Sequence, residues 1–192
     1  MKESQDKKKY THFIKRKFVD FFLNKINEKI DVLDAQKIVD IGCGEGYPES
    51  FFLERKPNLK ITGIDTNDQH LKEAKKKNPK AEYIKGDIYN LNFNKDFFDL
   101  AIVLEVLEHL KEPNVAVGQV KKISKKAIFS VPYEPWFSLL SFLGGSYIKS
   151  LGRHPEHVNF WNIESFKKML LKDYGKVNIE LAFPWIIAVC EK

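Results

Sequence analysis

The period of the hydrophobic positions changes several times along this chain, and each change marks an element. From about Tyr10 to Leu33, apolar residues recur at Ile14, Phe18, Phe21, Phe22, Ile26, Ile30 and Leu33, the stripe of a helix packed on a larger surface. After Asp34-Ala35-Gln36 the pattern becomes Lys37-Ile38-Val39-Asp40-Ile41, a short strand that runs into Gly42, Gly44 and Gly46. Tyr47 to Lys56 reads as helix and is broken by Pro57-Asn58. Lys60 to Asp65 is a second strand ending on an acid, and a helix from Asp68 to Lys77 is closed by Asn78-Pro79. Ala81 to Lys85 is a third strand that ends at Gly86-Asp87. Phe97 to Leu104 is the most continuous apolar run and therefore the central strand.

Glu105 to Leu110 makes one helical turn, and Pro113 opens a further helix carrying Val117, Val120 and Ile123. Lys126 to Val131 is a fifth strand, stopped by Pro132, and residues 133–160 are aromatic and irregular. A helix from about Asn162 to Tyr174 has a capping residue at its start and Gly175 at its end. Val177–Leu181 and Trp185–Cys190 form a hairpin around Phe183-Pro184. Strands alternating with helices predict an α/β fold of Rossmann-like, doubly wound type. Its sheet is mostly parallel and seven-stranded, with the C-terminal hairpin as an antiparallel edge. Residues 1–192 form one domain, with 1–9 expected to be disordered.

In such sheets ligands bind beyond the carboxyl ends of the strands, at the topological switch point. The glycine turn, Asp65, Asp87 and Glu105 all fall at carboxyl ends, so they converge on one site. A turn through three glycines lets backbone N–H groups approach a nucleotide-like ligand with no Cβ in the way. A dinucleotide fingerprint would need glycine at position 47, which is Tyr47, and no phosphate loop of the G-x-x-x-x-G-K-[ST] kind is present. Asp65 at the end of the second strand can accept both hydroxyls of a ribose, although dinucleotide sites use such an acid too.

Charge and cysteine content adjust this picture only slightly. The chain has 192 residues, with 32 basic against 26 acidic side chains and a formal net charge of +6. Runs such as Lys7-Lys8-Lys9 and Lys75-Lys76-Lys77 would suit an acidic partner, but a solvated lysine surface explains them more simply. The two cysteines, Cys43 and Cys190, have no paired spacing for a metal or redox motif, which fits a reduced, cytoplasmic setting. Met1 to Lys9 lacks the apolar segment of a signal peptide. The longest apolar stretch, Trp136 to Ile148, is interrupted by serines and glycines and is too short to span a bilayer.

The order of these segments resembles that of the class I S-adenosylmethionine-dependent methyltransferases, most closely the type 11 subgroup that includes the ubiquinone-pathway O-methyltransferases. The likeness runs from about Lys37 to Val131. Val39 to Tyr47 is similar to the first motif, D-x-G-x-G-x-G, and Gly63-Ile64-Asp65 to the ribose-binding acid. Gly86-Asp87-Ile88 resembles the segment that holds adenine, Leu104 to Leu110 the one after the fourth strand, and Ser130-Val131-Pro132 the end of the fifth. The resemblance implies S-adenosyl-L-methionine as cofactor. It would be held by Asp40, Gly42, Cys43, Gly44, Gly46, Asp65, Thr66, Asp87, Ile88, Leu104 and Glu105, with Tyr10 or Tyr47 offering an aromatic face to the sulfonium. Asp40 has two readings: it bonds the amides of the glycine turn, or it holds the cofactor's amino-acid end. Cys43 reads as a small space-filler rather than a nucleophile. Asp99 reads as a turn end or strand cap.

For the acceptor, the resemblance points to the segment after the fifth strand. His109, His154 and His157 are the candidate bases, since imidazole titrates near neutral pH. Each also reads as a locally bonded loop or helix-end histidine. No metal site is expected, because two or three ligands at this spacing make no known motif. The aromatic stretch 133–151 within the 133–160 segment reads as a substrate lid hinged at Gly144-Gly145, or as ordinary core helix. Taken as a lid near lysines, it suits a small-molecule, apolar or lipid-linked acceptor methylated at oxygen, with peripheral membrane contact. RNA methylation is the nearest alternative. It is disfavoured for DNA-type chemistry by Leu104-Glu105-Val106-Leu107, which is no Asn/Asp-Pro-Pro-aromatic motif, and by the absence of an appended RNA-binding module. A non-catalytic cofactor-binding protein of the same fold is the third reading.

Overall fold

A computed structural model describes residues 2–143 and 156–192, and the side chains of 16–139 and 156–192. Helix α1 runs Lys2–Val32, so residues 2–9, expected to be disordered, are helical. They are mostly straight-chain Lys, Glu and Gln, which lose little rotamer freedom in a helix. Then follow β1 (Lys37–Ile41), α2 (Tyr47–Arg55), β2 (Lys60–Asp65), α3 (Asp68–Lys77), β3 (Glu82–Lys85) and β4 (Phe98–Leu104). A single 3-10 turn at Leu107–His109 leads to α4 (Pro113–Ile123) and β5 (Ser124–Pro132). The chain closes with α5 (Trp136–Leu143), α6 (Ile163–Leu170), β6 (Lys176–Ala182) and β7 (Trp185–Glu191).

The strands form one seven-stranded sheet in the order β3-β2-β1-β4-β5-β7-β6. All neighbours are parallel except the pairs made by β7, which runs antiparallel to both β5 and β6. The doubly wound sheet with an antiparallel terminal hairpin is therefore present as read from the pattern. The order reverses between β1 and β4, and that is where the carboxyl ends of β1, β2 and β4 lie together.

Side chains alternate between two cores, as strand geometry requires. Val39, Ala101, Val103 and Phe129 go to the face covered by α4 and α6, with Phe166 and Leu170 packed on them. Ile38, Leu100, Ile102 and Ile128 go to the other face, under Phe22, Ile26 and Ile30 of α1 and Phe52 of α2. The α1 stripe is narrower than its periodicity suggests, since Phe18 and Phe21 are exposed while Leu23 is buried. Phe22, next to exposed Phe21, packs on Trp185 of β7 at 4.9 Å between rings, so only one face of the helix is covered at this height. The shorter α6 stops near Leu170, and turns continue to Tyr174. Asn162 forms a capping box with Ser165, as its position predicts.

Asp99, read as a turn end or cap, accepts the backbone N–H of Lys37 at 3.0 Å and so ties the start of β1 to β4. Three of the four lysines of α3 have local partners: Lys75 donates to the carbonyls of Pro79 and Ala81, Lys76 pairs with Glu73, and Lys77 with Glu45. Among the described residues no helix is long and apolar enough to cross a membrane.

A buried hydroxyl in this core lacks a partner. Tyr174 is 1% exposed against Phe129, its hydroxyl bonds to nothing, and burial pushes its pKa upward. Removing an unsatisfied buried hydroxyl while keeping the ring relieves a desolvation penalty. Tyr174→Phe is expected to raise stability by about 1 kcal/mol, read as a higher urea midpoint at unchanged m-value.

Candidate active site at the carboxyl ends of β1, β2 and β4

The turn after β1 is built by three residues with positive φ: Gly42 at 82°, Gly44 at 54° and Gly46 at 75°. The reasons differ. A Cβ on Gly42 would lie 2.4 Å from Val106 Cγ2, and one on Gly46 would lie 2.9 Å from both Ala74 Cβ and Asn78 Nδ2. A Cβ on Gly44 would meet nothing within 4 Å. Packing therefore demands the outer two glycines, whereas Gly44 stands over open space.

The turn's amides are engaged. Gly42 and Cys43 both donate to Ile64 O, at 2.7 and 3.1 Å, and Gly46 donates to Cys43 O. Gly44 donates to Asp65 Oδ2 at 2.9 Å, while Asn67 N donates to Oδ1 at 2.8 Å. An ionised carboxylate has about four lone-pair sites, so both oxygens of Asp65 retain capacity for a further donor pair. Asp40, by contrast, takes none of these amides. It is 1% exposed, its Oδ2 has no partner, and burial followed by the charges of Glu49 and Asp65 raises its pKa well above the usual range. Of its two readings, bonding to the turn amides is removed.

Cys43 is buried, with its thiol pushed upward by burial, so it fills space and offers no thiolate. Ile88 is buried, while Thr66 and Asp87 are exposed, and Asp87 Oδ1 accepts Tyr89 N at 3.0 Å. Tyr47 is 44% exposed and donates its hydroxyl to Asp20 of α1 at 3.2 Å, which brings α1 to the rim of the turn. The side chain of Tyr10 lies outside the described residues.

Two residues of this site carried no sequence signal beyond helix punctuation. Asn78, expected only to stop α3, donates to Gly46 O at 2.8 Å and accepts from Ser50 Oγ at 2.8 Å, clamping the start of α2. Glu49, in the first turn of α2, is fully buried, neither oxygen has a partner, and burial raises its pKa to about 7. Gly63 makes room for it, since a Cβ there would lie 2.9 Å from Glu49 Oε1.

On the other rim, Glu105 is held with φ 56°. Ser130 Oγ donates to its carboxylate at 2.9 Å and accepts its amide at 3.2 Å. Burial, partly offset by Ser130 and Trp185, raises this carboxyl to about 7. Glu108 is 1% exposed with both carboxylate oxygens unpartnered, and burial together with the Glu105 charge raises it to about 9. The segment at 156–161 closes over it: Val158 N and Asn159 N donate to Glu108 O at 2.8 and 3.1 Å, and Asn159 Nδ2 donates to Leu107 O and Leu110 O. The rings of His109 and His157 are 4.9 Å apart, and His109 Nδ1 is 3.1 Å from Glu156 O. Glu108, His109 and His157 thus come together, with one ligand-type atom from each within 4.8 Å of the others. Spacing along the chain had not suggested this grouping, and no metal site was expected. His154 and the Gly144-Gly145 hinge lie outside the described residues. Of the stretch read as a lid or core helix, Trp136–Leu143 is helix α5, with Trp136 and Leu139 exposed and Phe137 facing His157 at 6.1 Å between rings.

Residues 39–127 match the family model described as a methyltransferase domain. Over these residues the chain is similar to the type 11 methyltransferases. A ubiquinone biosynthesis O-methyltransferase of Nitrosomonas europaea is 28% identical over 138 residues, covering 67% of this chain and 58% of that protein. The methyltransferase domain of a bacterial CtHen1 aligns with TM-score 0.71 at 21% identity, covering 91% of this chain and 100% of that one. Magnesium protoporphyrin IX methyltransferase of Synechocystis PCC 6803, with bound SAH, aligns with TM-score 0.68 at 16% identity, covering 92% and 85%. The alignments to the first curated relatives span 38%, 44% and 58% of their lengths.

S-adenosylmethionine is the cofactor this family implies. The site suits it on three counts: open space over Gly44, spare acceptor capacity on Asp65, and the unpartnered buried oxygen of Asp40.

The carboxyl of Glu49 gives a pH dependence with a definite sign. Its pKa is raised in the folded chain, so its contribution to stability is full below the unfolded value near 4.5 and is lost as pH rises through about 7. Thermal unfolding of Glu49→Gln without cofactor should show a gain over wild type that grows from pH 5 to pH 8, reaching up to roughly 3 kcal/mol.

Proposed function

We propose that this chain is an S-adenosylmethionine-dependent methyltransferase acting at oxygen on a small, apolar or lipid-linked acceptor. The observation that carries the reading is the glycine turn, in which Gly44 is open above and its amide is bonded to Asp65. A ribose diol donating to Asp65 would lie beside that turn, with the cofactor's amino-acid end toward Asp40. When bound, the cofactor supplies a methyl group activated on a sulfonium.

The chain's own part is positioning. Holding donor and acceptor in attack geometry is worth around 7–11 kcal/mol of the barrier, which is most of what an already activated methyl requires. Glu105, His109 and His157 line the acceptor side and are the groups that would orient the acceptor. Val158 and Phe160 flank His157 along the chain, and Trp136 and Leu139 lie on α5, whose Phe137 ring is 6.1 Å from that of His157; these exposed side chains would cover an apolar acceptor. That a relative of 28% identity is named for ubiquinone biosynthesis points the same way.

RNA is the competing acceptor class, favoured by the net charge of +6. Against it stand Lys75, Lys76 and Lys77 of α3, which have local partners. A labelled-methyl transfer screen over quinol-like lipids, small phenols, small acids and RNA is expected to label the apolar phenols and quinols. Labelling of RNA alone would overturn the acceptor class, and cofactor binding without any transfer would leave a binding protein.

Two substitutions separate the cofactor site from the fold. Gly42→Ala should cost about 2–5 kcal/mol of stability, from left-handed strain plus collision with Val106. Gly44→Ala should cost only about 1–2 kcal/mol yet abolish measurable cofactor binding in calorimetry, because its methyl enters the open space. Asp65→Ala should weaken cofactor binding roughly 10- to 150-fold, the range for losing a charge-assisted pair. An unchanged affinity would show that the ribose is placed wrongly.

A further inference from the structure

We propose that Glu108, His109 and His157 form a binding site for a divalent first-row transition cation. The donor atoms of the three lie within 4.8 Å of one another, and they come from two segments that are bolted together. The backbone carbonyl of Glu108 accepts both Val158 N and Asn159 N, and the Asn159 side chain bonds the carbonyls on either side of the 3-10 turn. The cluster therefore rests on a frame of main-chain hydrogen bonds and is not a chance meeting of surface side chains.

Each donor is prepared in its own way. Glu108 is 1% exposed, and both its oxygens are without a hydrogen-bond partner. Buried polar atoms in folded proteins are almost always satisfied, so an orphaned carboxylate aimed into a histidine pair calls for a partner. His109 Nδ1 lies 3.1 Å from the carbonyl of Glu156. A carbonyl can only accept, so Nδ1 carries the proton and Nε2 carries the lone pair, the arrangement by which an outer carbonyl usually orients a ligating imidazole. His157 is half-buried and stacked edge-on to His109 at 4.9 Å, with the Phe137 ring 6.1 Å away.

A cation bound at about 2.0–2.2 Å from each donor needs the donors about 3–3.5 Å apart. The exposed His109 ring and the half-buried His157 ring can turn by the ångström or so that this requires. Two imidazoles with one carboxylate are borderline donors, which favour zinc, cobalt, iron(II) or manganese over the all-oxygen preference of magnesium and calcium. Three protein ligands also leave positions open toward the acceptor rim. A cation would occupy the lone pairs that a histidine base would use, so this assignment replaces the expectation of His109 or His157 as general base. It stands whether or not the chain transfers methyl groups.

The test is equilibrium dialysis of untagged, chelator-treated full-length chain against Co2+, with visible absorption spectra and competition by Zn2+. Stoichiometric Co2+ uptake with a visible absorption band, displaced by Zn2+, is expected. His157→Ala and Glu108→Gln should each weaken uptake at least roughly 10- to 100-fold, with the fold checked by circular dichroism. Because Glu108→Gln alters a buried position and could fail to fold, His157→Ala at the rim serves as the second variant. Absence of stoichiometric uptake, or uptake that His157→Ala leaves unchanged, would overturn the site. Methyl transfer is not part of the readout, so failure here and failure of the proposed activity are distinguishable.

Discussion

The tight passage of the chain between the ends of β2 and β4 is the constraint on which the rest of the site depends. Ile64 O accepts two successive amides of the turn, and Val106 Cγ2 occupies the place where a side chain on residue 42 would begin. Only a glycine in the left-handed region satisfies both at once. That geometry aims the Gly44 amide at Asp65 and starts α2 at Gly46, where Asn78 and Ser50 hold the helix against α3. It also places Glu105, held with φ 56° by Ser130, directly before the residue that crowds Gly42. The glycine turn and the segment from Glu105 are thus joined through Val106.

Around this passage the fold tolerates several carboxylates without partners. Asp40 and Glu49 lie on the α2 side, while Glu108 lies beneath the segment at 156–161. Burial raises all three, because the charged form has lost water and what surrounds it does not make up for that loss. Such groups are costly in a core that is otherwise satisfied, and strain or orphaned polarity of this kind gathers at functional sites. Tyr174 shows the same defect far from the site, so an orphan alone is no sufficient sign. Glu108 differs in having two imidazoles beside it and a built frame around it.

Much of this was legible from residue order. Strand and helix periods placed all seven strands, and Asn162 capped its helix as expected. The glycine turn, Asp65 and Glu105 fell together at carboxyl ends, as strand polarity required. The errors share a cause. Phe18 and Phe21 belong to a helical stripe but are exposed while Phe22 and Leu23 are buried, since periodicity says which face is apolar and not how much of it a partner covers. Asn78 looked like punctuation, although its amide closes on a carbonyl 32 residues away.

By itself, the sequence determined what depends on neighbouring residues: the periods of the elements, the need for glycine at positive φ, and the polarity that puts Asp65 and Glu105 at strand ends. These follow from local sterics and side-chain spacing, which any short stretch carries within it. Tertiary structure decided which groups go unpaired and which meet. Glu49, whose oxygens go unpaired, lies where Gly63 leaves room for it. Glu156, whose carbonyl orients His109, is 47 residues away along the chain. That pairing was set by how β4 and the segment at 156–161 fold against each other, and no local pattern encodes the distance between two segments that distant in sequence.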